Sequence, residues 1–253
     1  MAVLLAVCTF LFVNGCGSRS ARVKSLDHYT LGQDYQRLGQ YEMAIREYQE
    51  AAKQDPSNEF VHINLADVYS QLKRPDQVKV EYEQALKINP DNWRIHLQLG
   101  LLNQTNKNID GAIKEYLEII RIKPNSFIEG LAHFDLGTAL YEKGEIDKAK
   151  TEYLRAIELD PSRSDALYNL GYIYAHHEQK FEYDKALQAF EAAIKANPKS
   201  VRPYYEIGLL YERKGMNKEA AEAWSKALSV DPNYEPAKSK LDSLSRARQS
   251  ASP

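Results

Sequence analysis

The residues of this 253-residue chain best suited to metal or nucleophilic chemistry are six histidines and two cysteines. Four histidines, His28, His62, His96 and His133, recur at a nearly constant interval. Shared metal binding needs rings that converge on one ion. Here long amphipathic stretches separate them, so they stand on separate elements roughly 10 Å apart, the packing distance between helices. Their expected role is packing between helices, with apolar ring bodies covered and polar tips wet. His176 and His177 are adjacent and Glu178 follows, but neighbouring residues seldom converge on an ion without a third ligand. No metal is expected. The cysteines, Cys8 and Cys16, form no zinc pattern, and there is no nucleophile elbow, P-loop or dinucleotide glycine run. No enzyme, cofactor or small-molecule substrate is expected. Net charge is −2, with 33 basic against 35 acidic residues, which disfavours a phosphate-neutralising track and hence nucleic acid.

The elements that position these residues are copies of one stretch, Gly130–Arg163 (GLAHFDLGTALYEKGEIDKAKTEYLRAIELDPSR). Its first half carries Leu136, Gly137 and Leu140 at helical spacing, and Gly144 interrupts it. Its second half carries Ala149, Tyr153 and Ala156, and Pro161 stops it. Six such units run in order: Ser25–Asn58, Glu59–Asn92, Trp93–Ser126, Gly130–Arg163, Ser164–Ser200 and Val201–Tyr234. Within a unit, position 7 is Leu31, Leu65, Leu99, Leu136, Leu170 or Ile207. Position 8 is small: Gly32, Ala66, Gly100, Gly137, Gly171 or Gly208, which lets the second helix approach the first. Position 20 is Ala44, Val78, Ala112, Ala149, Ala186 or Ala220, and position 24 is always aromatic: Tyr48, Tyr82, Tyr116, Tyr153, Phe190 or Trp224. Position 32 is always proline, which ends the second helix.

This pattern resembles the tetratricopeptide repeat, a helix–turn–helix unit of about 34 residues. The resemblance covers Ser25–Tyr234 and implies an all-α, right-handed superhelical solenoid of six repeats. Residues 235–249, with Ala237, Leu241 and Leu244 in a narrow apolar stripe, are expected to form a capping helix, and 250–253 to fray. Two insertions, Phe127-Ile128-Glu129 and the segment around His176–Tyr183, are expected in loops on one rim. In this family positions 2, 5, 6, 9, 12 and 13 line a concave groove. Position 5 is apolar or aromatic throughout: Tyr29, Ile63, Leu97, Phe134, Tyr168 and Tyr205. Position 6 is polar throughout, including Asn64, Gln98, Asp135 and Asn169, and Tyr141 and Tyr172 stand nearby. An aromatic rail beside a polar rail suits an extended peptide or partner protein. Position 5 packing against the neighbouring repeat is the alternative.

At the N-terminus, Met1–Val13 is thirteen residues without a charge, the length of a signal-peptide apolar region and short of a membrane span. Val13-Asn14-Gly15-Cys16 then resembles the lipobox of bacterial lipoproteins, although Asn14 and the lack of a preceding basic residue depart from that pattern. The resemblance implies a signal peptide over 1–15, lipidation of Cys16, a tether over 16–24 and a membrane contact through the lipid. The expected location is the outer membrane, facing the periplasm, with the inner membrane or export as a soluble protein as alternatives. A lipid-anchored chain of six repeats is similar to the pilotin-type lipoproteins of type IV pili, which help secretins assemble. The expected function is thus a non-enzymatic interaction scaffold in pilus or secretin assembly. An adaptor that docks cell-wall hydrolases or proteases at the membrane is the alternative.

Overall fold

The computed structural model describes residues 23–177 and 182–250. Cys16 and the apolar run before it, most of the tether, Glu178 and the last residues of the chain lie outside the described residues. Every regular element among the described residues is a helix. They come in pairs: α1 (23–37) with α2 (Tyr41–Gln54), α3 (Glu59–Gln71) with α4 (Pro75–Ile88), and α5 (Trp93–Thr105) with α6 (Ile109–Ile122). Then follow α7 (Ser126–Glu142) with α8 (Ile146–Leu159), α9 (Ser164–His176) with α10 (Tyr183–Ala196), α11 (Val201–Arg213) with α12 (Asn217–Val230), and α13 (Glu235–Ser250). The chain divides into two compact units, and the boundary between Asn106 and Lys107 falls in the turn from α5 to α6.

Four of the pairs, in repeats 1, 4, 5 and 6, are locked by a glycine and a ring. A Cβ on Gly32 would stand 2.6 Å from the Tyr48 ring, on Gly137 2.9 Å from Tyr153, and on Gly171 2.8 Å from Phe190, with Gly208 closer still to Trp224. These rings fill the space a side chain would take, and all four are at most 1% exposed. Repeat 2 has Ala66 instead, and its ring, Tyr82, keeps 7% of its surface. Position 20 is also sealed, with Ala44, Ala112, Ala149, Ala186 and Ala220 all at 0%. Burial of these apolar faces against a partner helix, rather than helix propensity, is what stabilises such short helices.

The turns follow from local chemistry. The turn inside a repeat needs a left-handed residue, supplied by Gly39, Gly144 and Gly215 in repeats 1, 4 and 6 and by Lys73 and Lys107 in repeats 2 and 3. Between repeats, the carboxylate of Asp55 accepts from the Ser57 backbone N–H and hydroxyl, and Asp160 does the same for Ser162. Asn58 and Asn92 then cap the next helix by accepting from Phe60 and Arg94.

The expected loop at Phe127-Ile128-Glu129 is corrected: these residues form the first turn of α7. Asn125 accepts from the Ile128 backbone N–H at 2.9 Å, so a cap stands ahead of the insertion and helix begins at once. The helix accordingly has 17 residues against 13 in α9 and α11. At the other end of this unit, Ala237 of α13 is buried with Trp224, and Leu241 and Leu244 pack half-buried beside them. Among the described residues no helix is long and apolar enough to cross a membrane.

Candidate functional site

The histidine series is a set of interhelix pins. His28 Nδ1 meets Glu47 Oε2 at 2.7 Å, His62 meets Glu81 at 2.7 Å, and His133 meets Glu152 at 2.6 Å. Each links position 4 of the first helix to position 23 of the second helix in the same repeat. Repeats 5 and 6 lack the histidine, carrying Leu167 and Tyr204, and they also lack the glutamate, carrying Ala189 and Ala223. His96 approaches the Pro90 carbonyl at 2.9 Å. The described residues contain no cluster of three or more metal-ligating groups.

Position 5 packs within its own repeat. Tyr29 leans on Tyr48 at 5.9 Å between centroids, Phe134 on Tyr153 at 6.0 Å and Tyr168 on Phe190 at 5.8 Å, all tilted. Tyr205 meets Tyr234 edge-on at 5.6 Å. All six position-5 residues, Ile63 and Leu97 included, are half-buried: one face packs and the other is open.

Position 6 is partly committed to the fold. Asn64 donates to the Tyr29 and Tyr48 hydroxyls at 3.1 and 3.3 Å, and Asn169 hydrogen-bonds the Tyr153 hydroxyl of the preceding repeat. Glu206 is 7% exposed, accepting from the Tyr168 hydroxyl at 3.5 Å and meeting His176 Nε2 at 3.2 Å. Asp135 is half-buried, and loss of solvation pushes its carboxyl up to about 6 against the opposing pull of Arg163.

Four residues of the sequence-predicted groove come together in the compact unit that begins at Lys107. Tyr141, Tyr168, Asn169 and Tyr172, with Thr138, Glu142 and Tyr153, line a pocket of about 390 Å³. They occupy positions 9, 12, 13 and 24 of repeat 4 and 5, 6 and 9 of repeat 5. The Tyr141 and Tyr172 rings stand 6.4 Å apart at 76°, and Tyr168 and Tyr172 stand 6.2 Å apart at 40°. Burial raises the Tyr168 phenol pKa, and the Glu206 carboxylate adds to it ahead of the opposing Arg202. Phe134, Asp135 and Tyr205 do not line this pocket. In the compact unit that ends at Asn106, Ile63 and Gln98 share an open hollow with Asp67 and Tyr82, and Asn64 shares another with Gln33, Gln36 and Arg37. Thr138 and Glu142 fall at the groove positions 9 and 13, whereas Tyr153, at position 24, lies outside the groove positions read from the sequence. Tyr153 reads as core there, yet its hydroxyl end reaches the pocket while its ring is sealed.

Comparison with known proteins fits this geometry. A family model described as TPR repeat matches residues 32–73, 137–177 and 179–215, and models of the tetratricopeptide repeat match 61–92, 81–127 and 201–234. No curated protein matches the sequence. Among solved structures, MamA is 30% identical with a TM-score of 0.59, over 66% of this chain and 95% of MamA. YrrB, a TPR protein with an unusual peptide-binding site, is 20% identical with a TM-score of 0.59, over 75% of this chain and 95% of its own. PilW, a widely conserved type IV pilus biogenesis factor, is 19% identical with a TM-score of 0.61, over 86% of this chain and 98% of its own. With repeat models matched from residue 32 to 234 and MamA aligned over nearly its whole length at 30% identity, the chain belongs to the tetratricopeptide repeat family.

Proposed function

We propose that this chain is a non-enzymatic scaffold that holds an extended segment of a partner protein in the groove formed by positions 5, 6, 9, 12 and 13 of its repeats. The observation that carries the reading is the pocket between repeats 4 and 5, where Tyr141, Tyr168, Asn169 and Tyr172 converge. Half-buried rings held by their neighbours offer an apolar face at small entropic cost, which is what an anchor pocket needs. Asn169, Thr138 and the tyrosine hydroxyls add donors and acceptors for a backbone. The likeness to PilW, which spans nearly all of that protein, supports a place in pilus or secretin assembly at the bacterial envelope. The Val13–Cys16 sequence supports a lipid anchor at Cys16, and Gly17 rather than aspartate after that cysteine supports the outer membrane, facing the periplasm.

The test is in-cell crosslinking from a photoreactive residue at Phe134, followed by identification of the captured protein, together with deletion of the gene. Capture of an envelope assembly component and loss of secretin multimers on deletion are the expected results. Intact secretin multimers with altered wall lysis would replace assembly with the docking of wall hydrolases.

A further inference from the structure

The first and last helices are finished differently. The last, α13, packs on Trp224 and leaves polar residues exposed, Glu235, Ser239, Asp242 and Ser243 among them. A polar outer face is what the terminal element of a repeat stack needs in water. The outer side of α1 is apolar instead. At position 7, Leu31 is 41% exposed, whereas its counterparts in repeats 2 to 6 are at most 8% exposed.

Val23, Leu26 and Leu31 lie on the side of α1 away from the buried Ser25 and Gly32, within an arc of about 140°. Leu38 follows in the turn, and Val23, Leu26 and Leu38 are 57%, 61% and 70% exposed. Phe60, exposed at the start of α3, joins Val23 and Leu26 around a hollow of about 680 Å³. The exposed charges of α1 balance, Lys24 and Arg37 against Asp27 and Asp34, and Arg37 donates to Asp34. This face therefore attracts an apolar surface rather than a charged one. Asp55 and Glu59 also line the hollow, so contact stops at headgroup depth, short of the hydrocarbon core.

The chain supplies the neighbour. Cys16 stands seven residues before Val23, at most about 25 Å of extended chain. The residues between, Gly17–Arg22, bring no large apolar side chain that could cover the face. A membrane that holds a lipid on Cys16 is thus within reach of α1. We propose that the outer side of α1, with Leu38 and Phe60, rests in the interface of the bilayer as an apolar contact beside the lipid anchor. The proposal rests on the anchor reading at Cys16 and adds the face that the protein turns to the membrane.

The experiment places a photoreactive residue at Leu26, at Leu38 or, as control, at Leu101, an exposed apolar residue of the third repeat. All three side chains are exposed, so the fold survives each change. The full chain, made in bacteria, is reconstituted with phosphatidylcholine vesicles, and lipid adducts are counted after illumination. Yields at Leu26 and Leu38 are expected to exceed that at Leu101 at least about tenfold, because interfacial contact reaches only about 5–10 Å deep. Added salt is expected to leave them unchanged, since the face carries balanced charge. Yields no higher than at Leu101, yields that fall with salt, or adducts with a second copy or with residues 1–13 in place of lipid overturn the proposal. An acyl label on the same samples separates it from the anchor reading. A labelled Cys16 without excess lipid adducts leaves the anchor and removes the membrane face. Excess adducts on an unlabelled chain keep the face and end the anchor.

Discussion

Three residue-scale features carry measurable free energy. The His133–Glu152 pin is one: His133 is 7% exposed, so losing Glu152 alone strands a buried polar ring, and losing His133 alone strands a carboxylate. Each single change, His133→Leu or Glu152→Ala, is expected to cost about 1–3 kcal/mol. The double change copies the Leu167 and Ala189 of repeat 5, and is expected to cost less than the two singles summed, by about 1 kcal/mol or more in a denaturant cycle. Additivity would remove the pin. This pairing was legible in the sequence, since glutamate at position 23 and histidine at position 4 disappear together; it needed the two helices read as a pair. Asp135 is the second feature, and nothing in the sequence separates it from the other polar residues at position 6. Its folded-state carboxyl lies near 6, above the ordinary value. A raised carboxyl is neutral in both states at the lowest pH, so the cost of ionising it in the fold accumulates as pH rises through 4 to 6 and is complete above 6. Asp135→Asn is therefore expected to stabilise by up to about 3 kcal/mol at pH 7, with the gain gone below about pH 4. Melts of parent and variant across that range check it. The third is Lys73, held at φ 55° where repeats 1, 4 and 6 use glycine. Lys73→Gly is expected to raise stability by about 1 kcal/mol, as relief of a left-handed side chain outweighs the added chain entropy.

At the scale of the element, the helix pair is the unit of stability, and its key contact is the fit of a glycine to a ring. Gly171→Val places a branched side chain where the Phe190 ring already lies 2.8 Å from a Cβ, so overpacking of about 1–3 kcal/mol is expected. Leu170 is 6% exposed at the heart of the same pair, and Leu170→Ala is expected to cost about 2–5 kcal/mol. Leu241 on the capping helix packs half-buried against the Trp224 cluster, so Leu241→Ala is expected to cost least of the three. A denaturant series in which Leu241→Ala is the most damaging would mean that α13 is core rather than cap. The helices themselves were legible because small, large and aromatic residues recur in phase, a signal summed over six copies. The first turn of α7 was not. Phe127-Ile128-Glu129 breaks the repeat length and so reads as a loop, whereas Asn125 caps the chain just ahead of it and lets the insertion join the helix. A change in repeat length reports that residues were added, and only the local capping chemistry reports where they went.

At the scale of the whole molecule, the proposed function joins a groove to an anchor sequence, and the two are expected to make separable contributions. The groove was legible as a list of positions, but not as a site. Position 5 is apolar or aromatic in all six repeats, and in repeats 1, 4 and 5 its ring packs against the position-24 ring of the same repeat. What sets repeats 4 and 5 apart is the added Tyr141 and Tyr172, whose convergence depends on how two successive helices lie. The residues of that pocket begin at Thr138, far along the chain from Cys16. The proposed anchor is therefore expected to change where the groove is, not what it recognises. If Cys16 is acylated, more than one buried chain at about 0.8 kcal/mol per methylene holds the protein on the membrane. Cys16→Ser then removes the protein from the membrane fraction or leaves its signal peptide uncleaved, while affinity for the partner captured at Phe134 stays within about twofold in solution. That constancy is expected because binding free energy depends on contacts and ordering at the site, neither of which the lipid touches. The loss appears in the cell, where the anchored form confines the groove near its partner and raises the effective concentration, a gain that vanishes on release. Fractionation with an acyl label, a binding titration and secretin multimer yield on parent and variant decide the matter together. Equal membrane fractionation of both, with no label on the parent, ends the anchor reading and leaves the groove untouched.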